Sequence, residues 1–169
     1  MRKTILVVFL LVAGMKVDAA KYFIFPDTTG TPSVCDSIVT YATSFLGTPY
    51  HYGCSSPKAG FDCSGFTWYV FGHYGIDIPR SAQAYATVGK EVSLSECRKG
   101  DIILFRGTHP GEKRVGHVGI IISGKGEPVK FIHASSSDNH RGVVITDYYS
   151  SHYPARFIKV IRIIPEEKK

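Results

Sequence analysis

The apolar residues of this chain follow one spacing in its first half and another in its second half. Over residues 33–46 and 63–75 they recur every three or four positions, which predicts amphipathic helices. Beyond residue 100 they form short runs separated by glycine-rich or polar turns, which is typical of strands in an antiparallel sheet. Because the helices precede the strands and do not alternate with them, this order predicts an α+β fold with the helices packed on one face of the sheet.

Capping and turn residues give the approximate bounds of these elements. Ser33 is a suitable N-cap for the first helix and Gly47 ends it, while Gly75 is placed to stop the second helix. A short third helix is predicted over residues 81–88. The sheet is predicted to have about five strands, at residues 101–105, 115–123, 129–134, 143–146 and 157–164.

The first 20 residues have the pattern of a secretory signal peptide. Two basic residues precede a mostly apolar run at residues 4–13, and Val17-Asp-Ala19 is a suitable small-residue cleavage site. The run is shorter than the roughly 20 residues that span a bilayer, although an uncleaved N-terminal anchor is an alternative. We therefore predict a signal peptide over residues 1–19 and one secreted domain over residues 20–169, without a transmembrane segment after cleavage.

Composition excludes several classes of partner and cofactor. The net charge of +6 suits an anionic surface such as a bacterial cell wall. Nucleic acid is not predicted as a partner, because the chain has no run of basic residues interleaved with aromatic ones. There is no Cys-x-x-Cys pair and no Cys/His cluster at zinc spacing, so we predict neither a metal site nor a cofactor. The domain is expected to be a monomer.

Cys63 lies where a turn-rich loop becomes a helix. The first turn of a helix has unpaired N–H groups and the positive end of the helix dipole, and both favour the thiolate. A thiolate at this position predicts a nucleophile for covalent catalysis. The alternative interpretation is a small buried apolar residue.

The other three cysteines are candidates for a disulfide. An even number of cysteines in a secreted chain suggests two bridges. If Cys63 is catalytic, it must stay reduced, and Cys35, Cys54 and Cys97 can then form at most one bridge. The sequence leaves the pairing open.

Two histidines on predicted strands complete a catalytic arrangement. His117 and Gly119 share one face of their strand, and Gly119 leaves room there for a close approach. If the next strand is a neighbour, His133 lies beside His117, and a helix laid across that face would bring Cys63 to them. This predicts a nucleophile, a base and an orienting group for acyl transfer. The alternative for either histidine is a structural or surface role. The remaining histidines are predicted in loops or on helix surfaces, except that His51 can line the cleft.

Six motifs, in this order, resemble those of the NlpC-type cell-wall cysteine peptidases. The resemblance covers nearly the whole mature chain. The motifs are Leu46-Gly-Thr-Pro-Tyr-His-Tyr-Gly53, Phe61-Asp-Cys-Ser-Gly-Phe66, Pro79-Arg-Ser-Ala-Gln83, Gly100-Asp-Ile-Ile-Leu-Phe105, Gly116-His-Val-Gly-Ile120 and Phe131-Ile-His-Ala134.

The resemblance implies a papain-like fold and the hydrolysis of amide bonds in peptidoglycan stem peptides. The usual bond in the family joins D-glutamate to the following diamino acid, and the usual place is the bacterial cell envelope, outside the cell or in the periplasm. The motifs place the nucleophile on Cys63, the base on His117 and the orienting group on His133.

The same resemblance implies roles for four residues around the nucleophile. Tyr50 matches a tyrosine that faces the cleft and assists the oxyanion. Asp62 and Ser64 match positions that help to hold the amino end of the substrate. Arg80 matches a position that supports the cleft or contacts a substrate carboxylate. The alternatives are an N-cap for Asp62 and a structural ion pair for Arg80.

One departure from the family pattern concerns the loop before Cys63. Cys54 stands where the family often has glycine, and a bridge to Cys35 or Cys97 would tie this loop down. Two other functions are compatible with the sequence: an amidase or acyltransferase on the same scaffold, and a non-catalytic, disulfide-stabilised wall-binding domain.

Overall fold

The computed structural model describes residues 32–109 and 111–165. The predicted signal peptide over residues 1–19 lies outside these residues. The helices come first, as predicted: α1 (Val34–Thr43), α2 (Cys63–His73) and a 3-10 helix over Ala82–Thr87, where a short helix is expected. Two further 3-10 turns lie between the later strands, at Asp138–His140 and Tyr153–Arg156.

The strands form one small sheet and one large sheet, both antiparallel. The small sheet pairs β1 (Ser55–Ser56) with β2 (Gly60–Phe61) in the loop before α2. The large sheet contains β3 (Lys90–Val92), β4 (Ile102–Arg106), β5 (Val115–Ile121), β6 (Lys130–Ser135), β7 (Gly142–Asp147) and β8 (Phe157–Arg162). Their spatial order is β3-β8-β4-β5-β6-β7. The α+β prediction is therefore confirmed, with six strands where about five are expected.

The additional strand is β3, which pairs with β8 at one edge of the sheet. Lys90 and Glu91 are exposed, and Val92 is half-buried. A strand of three residues with two charged side chains has no alternation of apolar and polar residues, so sequence periodicity gives no sign of it. Charged residues of this kind are common on edge strands, where they prevent pairing with other chains.

The helix ends form as the capping residues predict. The Ser33 hydroxyl accepts a hydrogen bond from the backbone N–H of Asp36 at 3.1 Å, which confirms the N-cap of α1. Asp62 caps α2, because its carboxylate accepts from the backbone N–H of Gly65 at 2.6 Å. After α2 the chain turns at Gly75, whose φ of +70° favours glycine.

The large sheet has an apolar core on each of its two faces. Phe66 of α2 belongs to the same buried cluster as Val118 and Ile120 of β5. Ile121, which alternates with them, belongs to a second cluster with Phe131 of β6. Helix α2 therefore covers one face of the sheet, and the second core lies on the other.

The position of α2 differs from the prediction that it lies across the histidine face. His117 packs against Phe105 and Tyr153, and His133 packs against Phe131, all of them aromatic residues of the second core. The helix packs on the opposite face, where Val118 and its neighbours offer an uninterrupted apolar surface. Cys63, in the first turn of α2, lines a cavity together with His117.

A buried ion pair joins the start of β4 to the last strand. Asp101 is 2% exposed, and its two carboxylate oxygens accept from the Nε and Nη2 atoms of Arg162, both at 2.9 Å. The backbone N–H of Arg98 donates to the same carboxylate at 2.9 Å. The charge of Asp101 is thus balanced by Arg162 and by a backbone dipole, as a buried carboxylate requires.

Candidate active site

Cys63 is the first residue of α2 and is 7% exposed. Its Sγ atom lies 4.0 Å from the carbonyl oxygen of Gly116 on β5. The loop before it is held by a bridge between Tyr50 and Phe61, and Phe61 is fully buried. Backbone pairing in the preceding loop and the burial of Phe61 therefore hold the thiol in place at the helix start.

His117 and His133 form the first step of a hydrogen-bonded chain. The Nε2 atom of His117 lies 2.9 Å from the Nδ1 atom of His133, and the Nε2 atom of His133 lies 2.9 Å from the hydroxyl of Thr146 on β7. The hydroxyl of Tyr153 is 3.4 Å from the same Nε2 atom of His117. The remaining ring nitrogen of His117 is Nδ1, which takes part in neither of these two contacts.

The register of β5 and β6 explains how the two histidines meet. Ile120 pairs with Ile132 in this antiparallel ladder, and the same register places Gly119 across from His133. A β-carbon at Gly119 would lie 2.6 Å from the Phe131 ring and 3.2 Å from the β-carbon of His133. The predicted close approach at Gly119 is confirmed, and it is made by residues of the neighbouring strand β6.

Burial sets the protonation of all three groups. It lowers the pKa of His117 to about 3, with a smaller contribution from the positive charges of Arg156 and His152. It also lowers the pKa of His133, and His117 adds to this effect. For Cys63, burial and then the negative charge of Asp62 raise the pKa to about 11. Burial thus favours the neutral thiol and the neutral imidazoles, and it opposes the thiolate expected from the helix start.

Asp62, Ser64 and Arg80 form a cluster beside Cys63. Arg80 donates from Nη1 and Nη2 to the two carboxylate oxygens of Asp62, both at 2.9 Å. The Ser64 hydroxyl donates to Asp62 at 3.2 Å and accepts from Arg80 at 3.1 Å. The two alternative interpretations from the sequence are thus confirmed: Asp62 is the N-cap of α2, and Arg80 forms an ion pair with it.

Cys54 contributes its backbone to this cluster. Its carbonyl oxygen accepts from the backbone N–H of Asp62 at 2.9 Å and from Nη2 of Arg80 at 3.1 Å. All four cysteines are free, so none of the bridges considered for Cys35, Cys54 and Cys97 is present. The loop is held by hydrogen bonds, and the structure gives no support to a disulfide-stabilised wall-binding domain.

Cys63 lines two cavities. The Arg80 cavity, of about 520 Å³, is lined by Cys63, Tyr50, Asp62, Ser64 and Arg80, with Tyr52, Gly53, Ser81, Ala82, Gln83, Val115 and Gly116. The Arg156 cavity, of about 420 Å³, shares Cys63, Tyr50 and Gly116 with it. The other residues of the Arg156 cavity are His117, Thr108, Ser135, Ser136, Ser137, Asp138, His152, Tyr153 and Arg156.

Tyr50 faces both cavities and stays neutral. Its ring is half-buried, and burial together with the nearby Cys63 and Asp62 raises its pKa to about 12. A neutral phenol is a hydrogen-bond donor, which is the property that the predicted oxyanion role requires. His51, which the sequence allows in the cleft, lines neither cavity. Its Nδ1 atom lies 3.1 Å from the carbonyl oxygen of Ala59.

Four residues at the site are absent from the sequence prediction. Thr146 ends the histidine chain, and the turn over Tyr153–Arg156 supplies Tyr153 and Arg156 to the Arg156 cavity. His152, for which the sequence predicts a position in a loop or on a helix surface and no role in the site, lines the same cavity. A turn of this kind has neither helical nor strand periodicity, so only the tertiary structure reveals its proximity to Cys63.

The described residues bear on two further predictions. Among residues 32–109 and 111–165, no group of three or more His, Cys, Asp or Glu side chains is placed to hold a metal ion. None of the helices in this part of the chain is long and apolar enough to cross a membrane.

Comparison with known proteins places this site in a family context. Residues 47–162 match the model of the NlpC/P60 family. The chain is similar to the bifunctional muramidase/DL-endopeptidase CwlT of Bacillus subtilis (strain 168), with 32% identity over 134 residues, which are 79% of this chain and 38% of that protein. It is also similar to the murein DD-endopeptidase/murein LD-carboxypeptidase MepS of Escherichia coli (strain K12), with 33% identity over 141 residues, 83% of this chain and 69% of that protein.

Solved structures agree with the sequence comparison. An NlpC/P60 family protein from Bacillus cereus ATCC 10987 superposes with a TM-score of 0.69 and 30% identity, over 80% of this chain and 42% of that one. The chain spans less than two fifths of the length of the Bacillus subtilis relative. The papain-like architecture is thereby confirmed.

Proposed function

Because this chain belongs to the NlpC/P60 family, we propose that it is a cysteine peptidase that hydrolyses an amide bond in peptidoglycan stem peptides. The observation that carries the proposal is the buried thiol of Cys63 at a helix start, in one cavity with a histidine whose ring is fixed by a hydrogen-bonded chain. A nucleophile, a base and an orienting group are the parts that covalent acyl transfer needs.

In the proposed reaction, His117 is the base and His133 is the orienting residue. His133 donates from Nε2 to Thr146 and accepts at Nδ1 from the Nε2–H of His117, which leaves the Nδ1 lone pair of His117 for the thiol proton. As the proton leaves, the sulfur of Cys63 attacks the amide carbon. The backbone N–H of Cys63 and the phenol of Tyr50 stabilise the oxyanion.

The second half of the reaction uses the same groups. The imidazolium of His117 gives its proton to the leaving amine, the C–N bond breaks, and a thioester remains on Cys63. Water then loses a proton to His117 and attacks the thioester, which releases the acid and restores the thiol. Because the resting thiol and imidazole are both neutral, proton transfer has to accompany the attack of sulfur on the substrate.

For the bond that is cut, we propose the amide between D-glutamate and the following diamino acid. The relatives carry the names DL-endopeptidase and DD-endopeptidase, which denote different bonds. The cluster around Asp62 favours the former, because it offers a place for the free amino end of a short stem. Oδ2 of Asp62 accepts one hydrogen bond, from Arg80, so it retains a lone pair for an ammonium, and Ser64 lies beside it.

Three further features of the proposal come from the sequence. The signal peptide predicted over residues 1–19 would bring the domain to the cell envelope, outside the cell or in the periplasm. The positive net charge suits the anionic wall. The domain is proposed to act as a monomer on stem peptides.

The test is product analysis with protein that begins at residue 20. Sacculi and defined stem peptides, with and without a free N-terminal L-alanine, are incubated under reducing conditions, and the products are identified by mass spectrometry. We expect cleavage after D-glutamate, dependent on the free amine, and none with Cys63→Ala. Identical products from Cys63→Ala would overturn the proposal, and different new termini would indicate an amidase or acyltransferase on the same scaffold.

A further inference from the structure

Arg156 lines the Arg156 cavity and carries a positive charge. Within residues 32–109 and 111–165, no carboxylate forms an ion pair with it. Its Nε and Nη2 atoms donate to the carbonyl oxygen of Arg106 at 3.0 and 2.6 Å. Its Nη1 atom is 3.5 Å from His152, and its guanidinium lies 5.5 Å from the centre of the Tyr153 ring. Asp138 also lines the cavity, but its carboxylate pairs with Arg141 at 3.6 Å.

A positively charged arginine that forms no ion pair with a carboxylate of the described structure is suited to bind an anion. Burial lowers the pKa of Arg156, which means that its environment does not fully compensate the charge. The contacts with Arg106 and Tyr153 hold the guanidinium in place, so little side-chain entropy is lost when a ligand binds. The hydroxyls of Thr108 and Ser136 in the same cavity are further hydrogen-bond donors.

The position of His117 shows which part of a substrate would meet Arg156. His117 lines the Arg156 cavity and does not line the Arg80 cavity. The leaving amine has to receive its proton from His117, so the residue that follows the scissile bond must occupy the cavity in which His117 lies. This step rests on the proposed function.

We propose that Arg156 binds a carboxylate of the residue that follows the scissile bond, and that it thereby determines specificity on the leaving side. This carboxylate has two sources in a stem peptide. One is a second carboxyl group on the side chain of the diamino acid, as in diaminopimelate, and the other is the α-carboxylate of a stem that ends at this residue. Both present the planar pair of oxygens that a guanidinium recognises.

Binding of a carboxylate would also act on the base. Arg156 is one of the charged neighbours that lower the pKa of His117, after burial. An anion beside Arg156 offsets this positive charge and makes His117 a stronger base when the correct substrate is bound. Discrimination should therefore affect kcat as well as KM.

The test compares three tripeptides that share L-Ala-γ-D-Glu and differ in the third residue. The first ends in lysine amide, which has no carboxylate on that residue. The second ends in lysine with a free α-carboxylate, and the third ends in diaminopimelate with a free side-chain carboxylate and an amidated α-carboxyl group. Values of kcat/KM are measured for the wild type, Arg156→Gln, Arg156→Lys and the control Arg114→Gln, which removes an exposed arginine that pairs with Glu112 and lines neither cavity.

We expect the wild type to cleave at least one carboxylate substrate about tenfold to a hundredfold faster than the amide, the effect of one charged hydrogen-bonded pair. Arg156→Gln should remove this preference, so that the ratio of kcat/KM for each carboxylate substrate to kcat/KM for the amide falls to about one. Arg156→Lys should keep part of it, and Arg114→Gln should keep all of it. The faster of the two carboxylate substrates identifies the source.

Two outcomes would overturn the inference: equal rates for all three peptides with the wild type, or an unchanged preference in Arg156→Gln. An equal loss on every substrate would also contradict it, because it indicates a structural role. If the wild type cleaves none of the peptides, it is the proposed function that fails. The inference is then decided by calorimetric binding of the same peptides to Cys63→Ala and Cys63→Ala/Arg156→Gln, where the same ranking and the same loss are required.

Discussion

The Nδ1 atom of His133 lies 2.9 Å from the Nε2 atom of His117, across the β5–β6 ladder. Because the other nitrogen of His133 meets the hydroxyl of Thr146, the three side chains form a hydrogen-bonded chain. The proposed reaction uses the tautomer in which both histidines carry their proton on Nε2. The orientation of His117, the proposed base, thus depends on side chains of the two strands β6 and β7.

The first prediction tests this hydrogen-bonded chain at its far end. Thr146→Val keeps the shape of the side chain and removes the hydroxyl, so the Nε2–H of His133 loses its acceptor. We expect kcat/KM to fall about tenfold, the effect of roughly one hydrogen bond. His133→Ala should cost about a hundredfold or more, because the tautomer of His117 is then no longer fixed. Steady-state kinetics on a stem peptide measures both effects.

Thr146→Ser is the control for this prediction, since it keeps the hydroxyl and should retain nearly full activity. Equal activity of Thr146→Val and the wild type would show that the outer hydrogen bond contributes nothing to catalysis.

The second prediction concerns the pH dependence of alkylation at Cys63. Alkylation requires the thiolate, and burial raises the pKa of this thiol to about 11. With Cys35, Cys54 and Cys97 replaced by serine, the rate with iodoacetamide should still be rising with pH at pH 9. A plateau reached below pH 7 would instead indicate that the helix start outweighs burial.

The third prediction concerns stability at low pH. His117 and His133 have a lowered pKa in the folded protein, whereas in the unfolded chain each titrates near about 6.5. The unfolded state therefore binds more protons below pH 6.5, and the free energy of unfolding should fall as the pH drops from 7 to 5. Urea unfolding at a series of pH values measures this slope. The variant His117→Gln should show a smaller slope, and an equal slope in both proteins would contradict the assignment.

The fourth prediction compares two glycines of α2. A β-carbon at Gly65 would collide with the carbonyl oxygen of Cys54 and lie 2.8 Å from Nη2 of Arg80 and 2.9 Å from Asp62. Gly65→Ala should therefore destabilise the protein by about 1–3 kcal/mol, as overpacking does, and reduce activity. At Gly72, on the exposed side of the helix, a β-carbon meets no atom of the described structure within 4 Å.

The control Gly72→Ala should stabilise the protein by about 0.4–1 kcal/mol, because alanine is the better helix former. Thermal unfolding of the two variants gives the sign of each effect. Equal destabilisation by Gly65→Ala and Gly72→Ala would show that the cluster around Asp62 does not require glycine at residue 65.

The parts of the site that could be predicted from the sequence come from regular elements. The strand repeat of two residues places His117 and Gly119 on one face, and a short turn makes the strand of His133 the neighbour. The capping pattern puts Cys63 at a helix start, because Asp62 is a typical N-cap. These are local rules, and the structure obeys them.

The parts that could not be predicted depend on tertiary packing. The face of the sheet that α2 covers is decided by which apolar surfaces fit best, and the sequence pattern alone does not rank them. Tyr153 and Arg156 come from an irregular turn far along the chain from Cys63. Cys54 acts through its backbone carbonyl, a role that the side chain does not reveal.

The last prediction distinguishes a buried ion pair from an exposed one. Asp101→Ala removes the buried carboxylate that pairs with the guanidinium of Arg162, which is 11% exposed, and the loss of one partner of a buried pair costs about 3–5 kcal/mol. The control is Lys125→Ala, which breaks a pair with Glu96 in which both side chains are about 60% exposed, and it should change stability by less than about 1 kcal/mol. Urea unfolding at neutral pH measures both values. If Asp101→Ala lowered the free energy of unfolding as little as Lys125→Ala, the ion pair with Arg162 would contribute little to stability. The backbone ladder between β4 and β8 would then be enough to hold these strands together.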